Sequence, residues 1–385
     1  MPDMNVFLFA TNIFVFVLCG GIFMIVPQLT RDSYLFGVKI PKEQAHSHEA
    51  KAVKMHYVRI CLLGTLLLLV LCVAQFIFLR EATLLAALYF PLMIIPIYFI
   101  AFVSGWKRAQ RLKEECGWQV SNVIFAETRS SHTRGKLSAL PWGWYAVSLL
   151  VVIAAFLAAI VHYPVLPDMI PGHFGFDMQP TRFVQKTWTT VLLMPIFNAS
   201  LLALMILAAA LIEKAKLQID PQNPRLSFAQ HSVYRWRFGH AMGFFTLIMS
   251  IFMALMGLPF IFLDSPLWGA WLIWGGLAFI HIPIVLLIVV YVKTGQGGCK
   301  VKIDIHEESD EISPSANPKT SGQGDDKYWL FGMFYHNPDD PAYFIESRFG
   351  TNFSPNYARL PAKIGTAILI LGLIATYVWV TVLLT

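Results

Sequence analysis

The sequence predicts an all-α polytopic membrane protein with about eight transmembrane helices. Its 385 residues are 56% hydrophobic and 14% charged, whereas a soluble domain carries about 25% charged residues. Apolar runs of roughly 20 residues recur along the chain, and each is long enough to cross a bilayer as a helix. One soluble core cannot accommodate this excess of apolar residues, so a soluble globular enzyme is excluded.

Eight apolar runs are candidate spans. The first run follows Asp3 and lacks both the basic segment and the small-residue cleavage site of a signal peptide. We therefore expect it to remain as an anchor. The approximate limits of the runs are residues 5–26, 60–79, 83–104, 142–162, 188–212, 241–263, 270–292 and 363–384.

The loops between the spans differ strongly in their Lys and Arg content. Four alternate loops, residues 27–59, 105–141, 213–240 and 293–362, hold 25 of these residues, and the other three loops hold 3. The positive-inside rule places the basic loops in the cytoplasm and both termini outside. The net charge of +6 therefore reports topology, and we expect no nucleic-acid partner.

The interiors of the spans contain no Asp, Glu, Lys or Arg. Ion-coupled transporters and intramembrane catalysts need such a group at depth, so we expect no catalytic residue. The polar exceptions are Gln75, Asn198 and His281. The simpler interpretation of His281 is a hydrogen bond to the carbonyl that Pro283 frees or to a neighbouring helix, and a substrate or proton role is the alternative. Prolines in other spans are interpreted as kinks: Pro91, Pro96 and Pro259.

The predicted outer loop, residues 163–187, is dense in proline. Proline fixes φ and restricts the residue before it, so we expect an extended, stiff loop that serves recognition or packing. Four side chains of metal-ligand type lie here, but His and Asp in loops are usually solvated, so we expect no metal. They are His162, Asp168, His173 and Asp177. The candidate recognition residues are Pro167, Asp168, Pro171, His173, Phe174 and Asp177.

The last third of the chain contains a polar segment and an aromatic block. Residues 300–327 predict a polar linker, and residues 328–361 predict a compact cytoplasmic module between the last two spans. Asn337 to Pro341 lack the spacing of a calcium loop and predict an Asx/Pro turn. The other domain limits are 1–141 and 142–299 for two membrane regions and 362–385 for the last span. Five residues are expected to shape the contact surface of the module: Tyr335, Asn337, Asp340, Arg348 and Gly350.

Three further patterns suggest a ligand site, but their spacing argues against one. His46 and His48 lie on different faces of a helix, His56 is a distant third candidate, and no His-Glu-x-x-His motif occurs. Residues 295–298 lack the Gly-Lys-Ser/Thr ending of a phosphate loop, so a glycine-rich turn is the better interpretation. Five cysteines without close spacing predict neither disulfides nor a zinc site. We therefore expect no cofactor.

The outer loop resembles the signature loop of a bacterial membrane domain of unknown function. This domain occurs in relatives of the sporulation-delaying-protein immunity family, which are integral membrane proteins of Gram-positive bacteria. The chain departs from the family at residues 175–180, where Gly-Phe-Asp-Met-Gln-Pro stands in place of a Gly-x-Pro-Asp pattern. The matching positions are Leu166-Pro167-Asp168, Ile170-Pro171, His173-Phe174, Asp177, Pro180 and Lys186.

Three further segments extend the resemblance over most of the chain. Two short stretches in residues 27–41 are similar to the first cytoplasmic loop of longer family members. Residues 295–300 are similar to a Gly-Gln-Gly-Gly element followed by Lys. Residues 332–341 resemble a small accessory domain near the C-terminus. The quoted positions are Pro27–Arg31, Phe36–Pro41, Gly295–Gly298, Lys300, Gly332–Pro341, Arg348, Gly350 and Asn356.

The resemblance implies a non-enzymatic sensor or protective, immunity-like protein of the bacterial cell membrane. Its expected partners are an extracellular peptide, toxin or envelope-directed factor at the outer face, a cytoplasmic regulator and membrane lipid. An alternative is a transporter or lipid-handling protein, and an intramembrane metalloenzyme is a third hypothesis. The transport pathway would pass Pro96, Asn198, Pro259 and His281.

Overall fold

The computed structural model describes residues 4–120, 140–174, 180–220, 223–261, 270–303, 325–349 and 353–384. Within these ranges, eight helices are long and apolar enough to cross a membrane, which confirms the predicted all-α polytopic membrane protein. The helices are α1 (Met4–Leu29), α2 (His48–Phe78), α3 (Thr83–Glu115), α4 (Trp142–His162), α5 (Trp188–Lys214), α6 (Pro224–Gly257), α7 (Ala270–Thr294) and α8 (Leu360–Leu384).

Several helices extend beyond the apolar run that predicts them. α2 begins at His48 rather than near residue 60, and the Ser47 hydroxyl accepts a hydrogen bond from the Ala50 N–H at 3.1 Å as its N-cap. α3 continues to Glu115 rather than ending near residue 104. Hydropathy marks only the apolar part of a helix, whereas the backbone hydrogen bonds continue to a capping or breaking residue.

The prolines in the spans have different effects. Pro91 and Pro96 lie within α3, which continues across both. The predicted kink at Pro259 is wrong, because α6 ends at Gly257 and Pro259 lies in a 3₁₀ turn that follows it. A proline provides no N–H for the helix and its ring clashes with the preceding turn. Pro259 therefore stands where the helix has already ended.

The chain divides into two compact units that interleave along the sequence. Unit 1 contains residues 130–214 and 229–301, and unit 2 contains residues 2–129, 215–228 and 302–385. The N-terminal spans thus share a unit with the C-terminal module and the last helix, whereas the sequence-based limits separate them.

Unit 2 contains α1, α2 and α3, which pack against one another through aromatic and hydroxyl groups. The rings of Phe23 and Tyr98 stack with their centroids 4.1 Å apart. The hydroxyls of Thr65 and Tyr98 are hydrogen-bonded at 2.7 Å. Gly20 permits this close approach, because a Cβ at this position would collide with Thr65. The hydrogen bond satisfies two polar groups that the bilayer cannot solvate.

Unit 2 also contains α8 and three short antiparallel hairpins. β1 (Tyr34–Leu35) pairs with β2 (Val38–Lys39), β5 (Trp329–Leu330) with β6 (Phe334–Tyr335), and β7 (Phe344–Glu346) with β8 (Phe353–Pro355). The last two hairpins, together with a 3₁₀ turn at Asp326–Tyr328, form the C-terminal module, which we define as residues 325–359. Lys216 bridges to Ile345 and so adds the 215–220 segment to the module.

Unit 1 contains α4, α5, α6 from residue 229 onward, α7 and one hairpin, in which β3 (Met169–Phe174) pairs with β4 (Pro180–Gln185). Its helices bury an apolar cluster that includes Tyr145, Val152 and Leu202. The predicted glycine-rich turn follows α7 directly, as a 3₁₀ turn at Gln296–Gly298.

Candidate functional site

The loop that carries the proline-rich signature contains the antiparallel β3–β4 hairpin. Ile170 lies opposite Val184 and Pro171 lies opposite Phe183. The register is irregular on both sides of His173, whose backbone pairs with Arg182. Such an irregularity bends a strand and increases its twist. The extended backbone expected from the prolines is therefore organised as a ladder.

The base of the hairpin is anchored by apolar burial and by one lysine. Leu166 and Ile170 are buried in a cluster with Ala159, Val191 and Ile261. The Lys186 Nζ donates to the carbonyl oxygen of Leu166 at 2.6 Å, and the Lys186 N–H donates to the carbonyl oxygen of Asp168 at 2.8 Å. Next to Lys186, the rings of Tyr163 and Trp188 stack with their centroids 3.7 Å apart. These contacts fix both ends of the hairpin on α4 and α5.

The outward face of the hairpin presents two exposed apolar side chains. Because side chains alternate along a strand, Met169 and Phe183 share one face, while Ile170 and Val184 share the face toward the helices. Met169 and Phe183 are 52% and 54% exposed, whereas Ile170 is buried. All residues of β4 except Val184 are exposed. The hairpin thus presents an exposed strand on a fixed base.

The predicted recognition residues lie in different environments. Pro167 and Asp168 are exposed, and the Asp168 Oδ1 lies 4.0 Å from the Lys186 Nζ. Pro171 is buried, so it packs the hairpin rather than presenting a surface. The ring of Phe174 contacts the Phe260 ring edge-on at 5.0 Å. Asp177 lies outside the described residues.

Within the described residues, no three His, Cys, Asp or Glu side chains are grouped to hold a metal ion. His46 and His56 have separate partners. The His46 Nε2 lies 3.4 Å from the Asp32 Oδ1, and the His56 Nε2 lies 2.9 Å from the Ser104 Oγ. Of the four side chains of metal-ligand type in the outer loop, His162 and Asp168 are described, whereas the His173 side chain and Asp177 lie outside what the structure describes.

The C-terminal module is organised around Arg348, which is fully buried. Its Nη1 donates to the carbonyl oxygen of Gly37 at 3.0 Å and to the Asp326 carboxylate. The guanidinium also lies 4.9 Å from the centroid of the Trp329 ring. The Lys113 Nζ donates to the same carboxylate at 2.6 Å. One carboxylate therefore joins a module cation to a cation on α3.

The charges around Asp326 decide its protonation. Burial by itself would raise the pKa of Asp326, but the Arg348 guanidinium and the Lys113 ammonium outweigh it and hold that pKa below its ordinary value. Asp340 has the same balance. Burial by itself would raise the pKa of Asp340, but the Lys216 ammonium at 2.8 Å and the Ala342 N–H outweigh burial and hold that pKa below its ordinary value. Both carboxylates are therefore ionised at neutral pH.

A second polar network surrounds Asp340. The Tyr335 hydroxyl donates to its carboxylate at 3.0 Å, and the Asn337 amide donates to that hydroxyl at 3.0 Å. The Asn356 amide donates to the carbonyl oxygens of Asn337 and Asp340. The Asp339 N–H donates to the Asn337 Oδ1 at 2.9 Å, which confirms the predicted Asx turn.

The predicted module residues thus lie inside the module rather than on its surface. Tyr335, Asn337, Asp340 and Arg348 are all buried. Gly350 lies outside the described residues. Because their polar groups bond to one another and to neighbouring segments, these side chains hold the module together and fix its position in unit 2.

Sequence reasoning missed the residues that fasten the module to the rest of unit 2. The Arg31 Nη2 donates to the Glu346 Oε1 at 2.7 Å. The Gln218 N–H donates to the Glu346 Oε2 at 3.0 Å, and the Gln218 amide donates to the Glu346 carbonyl oxygen at 2.6 Å. Arg31 ends one of the quoted motifs, but its acidic partner lies more than 300 residues away.

The polar residues within the spans differ in burial and lie in different parts of the molecule. Asn198 is buried, and its amide donates to the Ser250 carbonyl oxygen at 2.9 Å. Asn198 also lines a small pocket with Pro195, Gly257 and Leu258. His281 lies on the exposed surface of α7. Pro96 belongs to unit 2, so the residues of the alternative transport pathway are distributed over both units.

One family matches part of the chain. The family described as "Domain of unknown function (DUF1648)" matches residues 150–199. The match spans the second half of α4, the strands β3 and β4, and the first part of α5, so it contains the exposed hairpin and the helices at its base. No curated protein and no solved structure matches the chain.

Proposed function

We propose that this membrane protein is a non-enzymatic sensor or protective, immunity-like protein of a bacterial cell membrane. In this proposal the β3–β4 hairpin recognises a peptide or an envelope-directed factor. One observation carries the proposal, namely that β4 is an exposed strand on a base that α4 and α5 hold in place. A fixed strand loses little conformational entropy when a ligand binds to it.

An exposed strand is a template for another extended chain. In the described residues β4 pairs only with β3, so the backbone groups that alternate away from β3, such as those of Phe183, are offered at its other edge for strand addition. β3 is the poorer edge because Pro171 has no N–H to donate. The hairpin therefore favours a peptide that joins the sheet next to β4.

The exposed side chains define the chemistry of the peptide. Met169 and Phe183 form an apolar face, which favours an aliphatic or aromatic residue on the same face of the added strand. Arg182 is exposed beside them and favours an acidic residue nearby. An extended peptide with alternating apolar and acidic residues meets both requirements.

The direction of signalling follows from the basic loops and the resemblance. The positive-inside rule supports a hairpin on the outer face and a module in the cytoplasm, where a regulator would bind. The resemblance to the sporulation-delaying-protein immunity family supports a Gram-positive host and a protective role. A membrane domain around the hairpin is consistent with either sensing or protection.

The experiment uses the full chain in lipid nanodiscs and a display library of random peptides. Enriched peptides are resynthesised with an N-methyl group at one backbone position at a time, and fluorescence polarisation measures each Kd. A peptide that adds a strand presents every second N–H to β4. We therefore expect N-methylation to weaken binding at alternate positions and to have little effect at the positions between them.

Empty nanodiscs provide the control for binding to lipid. Enrichment that is no greater than on empty nanodiscs would contradict the proposal. Loss of binding at every position, or at none, would show that the peptide does not join β4 as a strand, and the recognition mode proposed here would be wrong.

A further inference from the structure

Two hairpin turns of unit 2 share a sequence pattern and an unusual backbone. Leu35-Phe36-Gly37 and Leu330-Phe331-Gly332 have the same residues in the same order. Phe36 and Phe331 have φ of 48° and 52°, and the glycines have φ of 81° and 74°. A phenylalanine rarely adopts positive φ. The surroundings of each turn must therefore hold it in this conformation.

The two turns pack against each other through their glycines. A Cβ on Gly37 would collide with the backbone of Gly332, and a Cβ on Gly332 would collide with the carbonyl oxygen of Phe36. Because of this close backbone approach, the β1–β2 turn fixes the position of the module turn Leu330–Met333. We call residues 330–333 the module turn.

The two phenylalanines have opposite surroundings. Phe36 is 2% exposed, and its ring lies 5.0 Å from the Tyr57 ring and 5.7 Å from the Phe349 ring. Phe331 is 43% exposed and its neighbour Leu330 is 55% exposed. Apolar side chains at the tip of a turn, rigidly aimed outward, indicate contact with an apolar medium.

Contacts with α3 show how deep the module turn reaches. Lys113 bonds to Asp326 at the open end of the β5–β6 hairpin. At the turn end, the Phe331 ring lies 5.4 Å from the Trp106 ring and 6.3 Å from the Phe99 ring. At a rise of 1.5 Å per residue, Phe99 lies about 10 Å from Trp106 along the helix and about 20 Å from Lys113.

The composition of α3 shows where along the helix the membrane–water boundary lies. Residues 83–106 contain no charged side chain, and Lys107 and Arg108 follow immediately. Trp106 therefore stands where aromatic residues concentrate at the membrane–water boundary. Phe331 contacts α3 at this boundary and on its apolar side.

We propose that the module turn inserts into the membrane interface. Acyl chains of the leaflet next to the module cover Leu330 and Phe331. Lys107 and Arg108, both exposed, lie at headgroup depth and bind the phosphate groups of anionic phospholipid. The partner of this surface is thus the bilayer itself, which holds the module against the membrane independently of any ligand at the β3–β4 hairpin.

Photocrosslinking in lipid tests the insertion. The full chain carries p-benzoylphenylalanine in place of Phe331 or, separately, Leu330, and is reconstituted in nanodiscs of phosphatidylcholine and phosphatidylglycerol. After irradiation, mass spectrometry measures lipid adducts at the substituted residue. His336 provides the matched control, because it is exposed and lies at the opposite end of the same hairpin, where its N–H donates to Tyr328.

We expect severalfold more lipid adducts at positions 331 and 330 than at position 336. Adduct yields at 331 and 330 that do not exceed the yield at 336 would overturn the insertion. Crosslinks from 331 to a second copy of the chain, in place of lipid, would assign this surface to a dimer and would also overturn it.

The headgroup contact has a separate test. Native mass spectrometry of the chain with Lys107→Gln and Arg108→Gln measures phosphatidylglycerol retained after extraction from the nanodisc. We expect severalfold less retained phosphatidylglycerol than in the unaltered chain, with unchanged phosphatidylcholine. Equal retention in both chains would overturn the assignment of these two cations to headgroups.

Discussion

The C-terminal module and the β3–β4 hairpin are held in place by different forces. The module is fastened by buried charges, with Arg348 and Lys113 on one carboxylate and Arg31 on another. The hairpin rests on buried apolar residues, and its strand β4 stays exposed. A region whose polar groups bond to one another stabilises the fold, whereas a region with an exposed strand can bind a partner. This difference is the reason for proposing recognition at the hairpin.

The basic loops also hold the module in place. Arg31, Lys113 and Lys216 lie in three different loops of the positive-inside count, and each pairs with an acid of the module. Charges that indicate topology therefore also fix the module in unit 2. The hairpin has one comparable cation, Lys186, which bonds mainly to a backbone carbonyl.

The largest effect is expected from Arg348→Met. The change removes the hydrogen bonds from the charged guanidinium to Asp326 and to the Gly37 carbonyl oxygen, and such bonds are worth about 1.5–3 kcal/mol each, while Lys113 stays bonded to Asp326. Limited proteolysis in detergent measures the change, and we expect cleavage within the module but an unchanged hairpin.

Lys327→Met is the control, because this exposed cation contacts residues close to it in the chain, the Asp325 carboxylate and the Tyr328 ring. Equal protease resistance in both variants would contradict the central role of Arg348.

A glycine substitution is expected to have the next largest effect. Gly37→Ala introduces strain at φ 81° and a collision with the Gly332 backbone, at a cost of about 1–3 kcal/mol or more. Gly117→Ala is the matched control, since Gly117 has φ 62° with open space around it and so isolates the strain. Thermal unfolding in detergent measures the Tm of both variants. If Gly37→Ala lowers the Tm no more than Gly117→Ala does, the close contact between the two turns does not contribute to stability.

The two regions should also differ in their response to acid. Asp326 and Asp340 have lowered pKa values in the folded chain. Their contribution to the free energy of unfolding is therefore present above the ordinary Asp pKa of about 3.9, and it is lost as the pH falls through the lower pKa values of the folded chain. We expect hydrogen exchange, corrected for its intrinsic pH dependence, to increase in the module below about pH 4. The base of the hairpin, held by apolar contacts, should not follow. An equal increase of hydrogen exchange in the module and in the hairpin base would contradict the conclusion that charges hold the module and apolar contacts hold the hairpin.

The smallest effect on stability is expected from Phe183→Ala, within about 0.5 kcal/mol because the side chain is exposed. Its effect on peptide binding should be large, since it removes the exposed apolar side chain that β4 contributes to the outward face of the hairpin. The Kd of a selected peptide and the unfolding temperature are measured together, with exposed Val165→Ala as the control outside the strand. A loss of stability that parallels the loss of binding would make the hairpin a packing element instead.

Much of the architecture follows from hydropathy alone. Every predicted run coincides with a long apolar helix, because a bilayer imposes the length and composition of its spans. Helix limits were less accurate. α2 begins before its apolar run and α3 continues past its own, since polar residues also form helix where a cap and tertiary contacts support it.

The hairpin and the module show why the sites were predicted only in part. Proline and glycine signals located the outer loop and the Asx turn, because these residues act on the local backbone. Sequence alone predicts that Tyr335, Asn337, Asp340 and Arg348 shape a contact surface, whereas all four are buried, because burial depends on which distant segments cover them.

The membrane class, the number of long apolar helices and the local turns can be predicted from the amino-acid sequence, since each depends on composition or on neighbouring residues. The pairing of Arg31 with Glu346 and the sharing of Asp326 by Lys113 and Arg348 arise from the folded chain. So does the burial of Phe36 and the exposure of Phe331 in two similar Phe-Gly turns. These outcomes depend on contacts between residues far apart in the chain, and neither spacing nor hydropathy records which distant charges and surfaces come together.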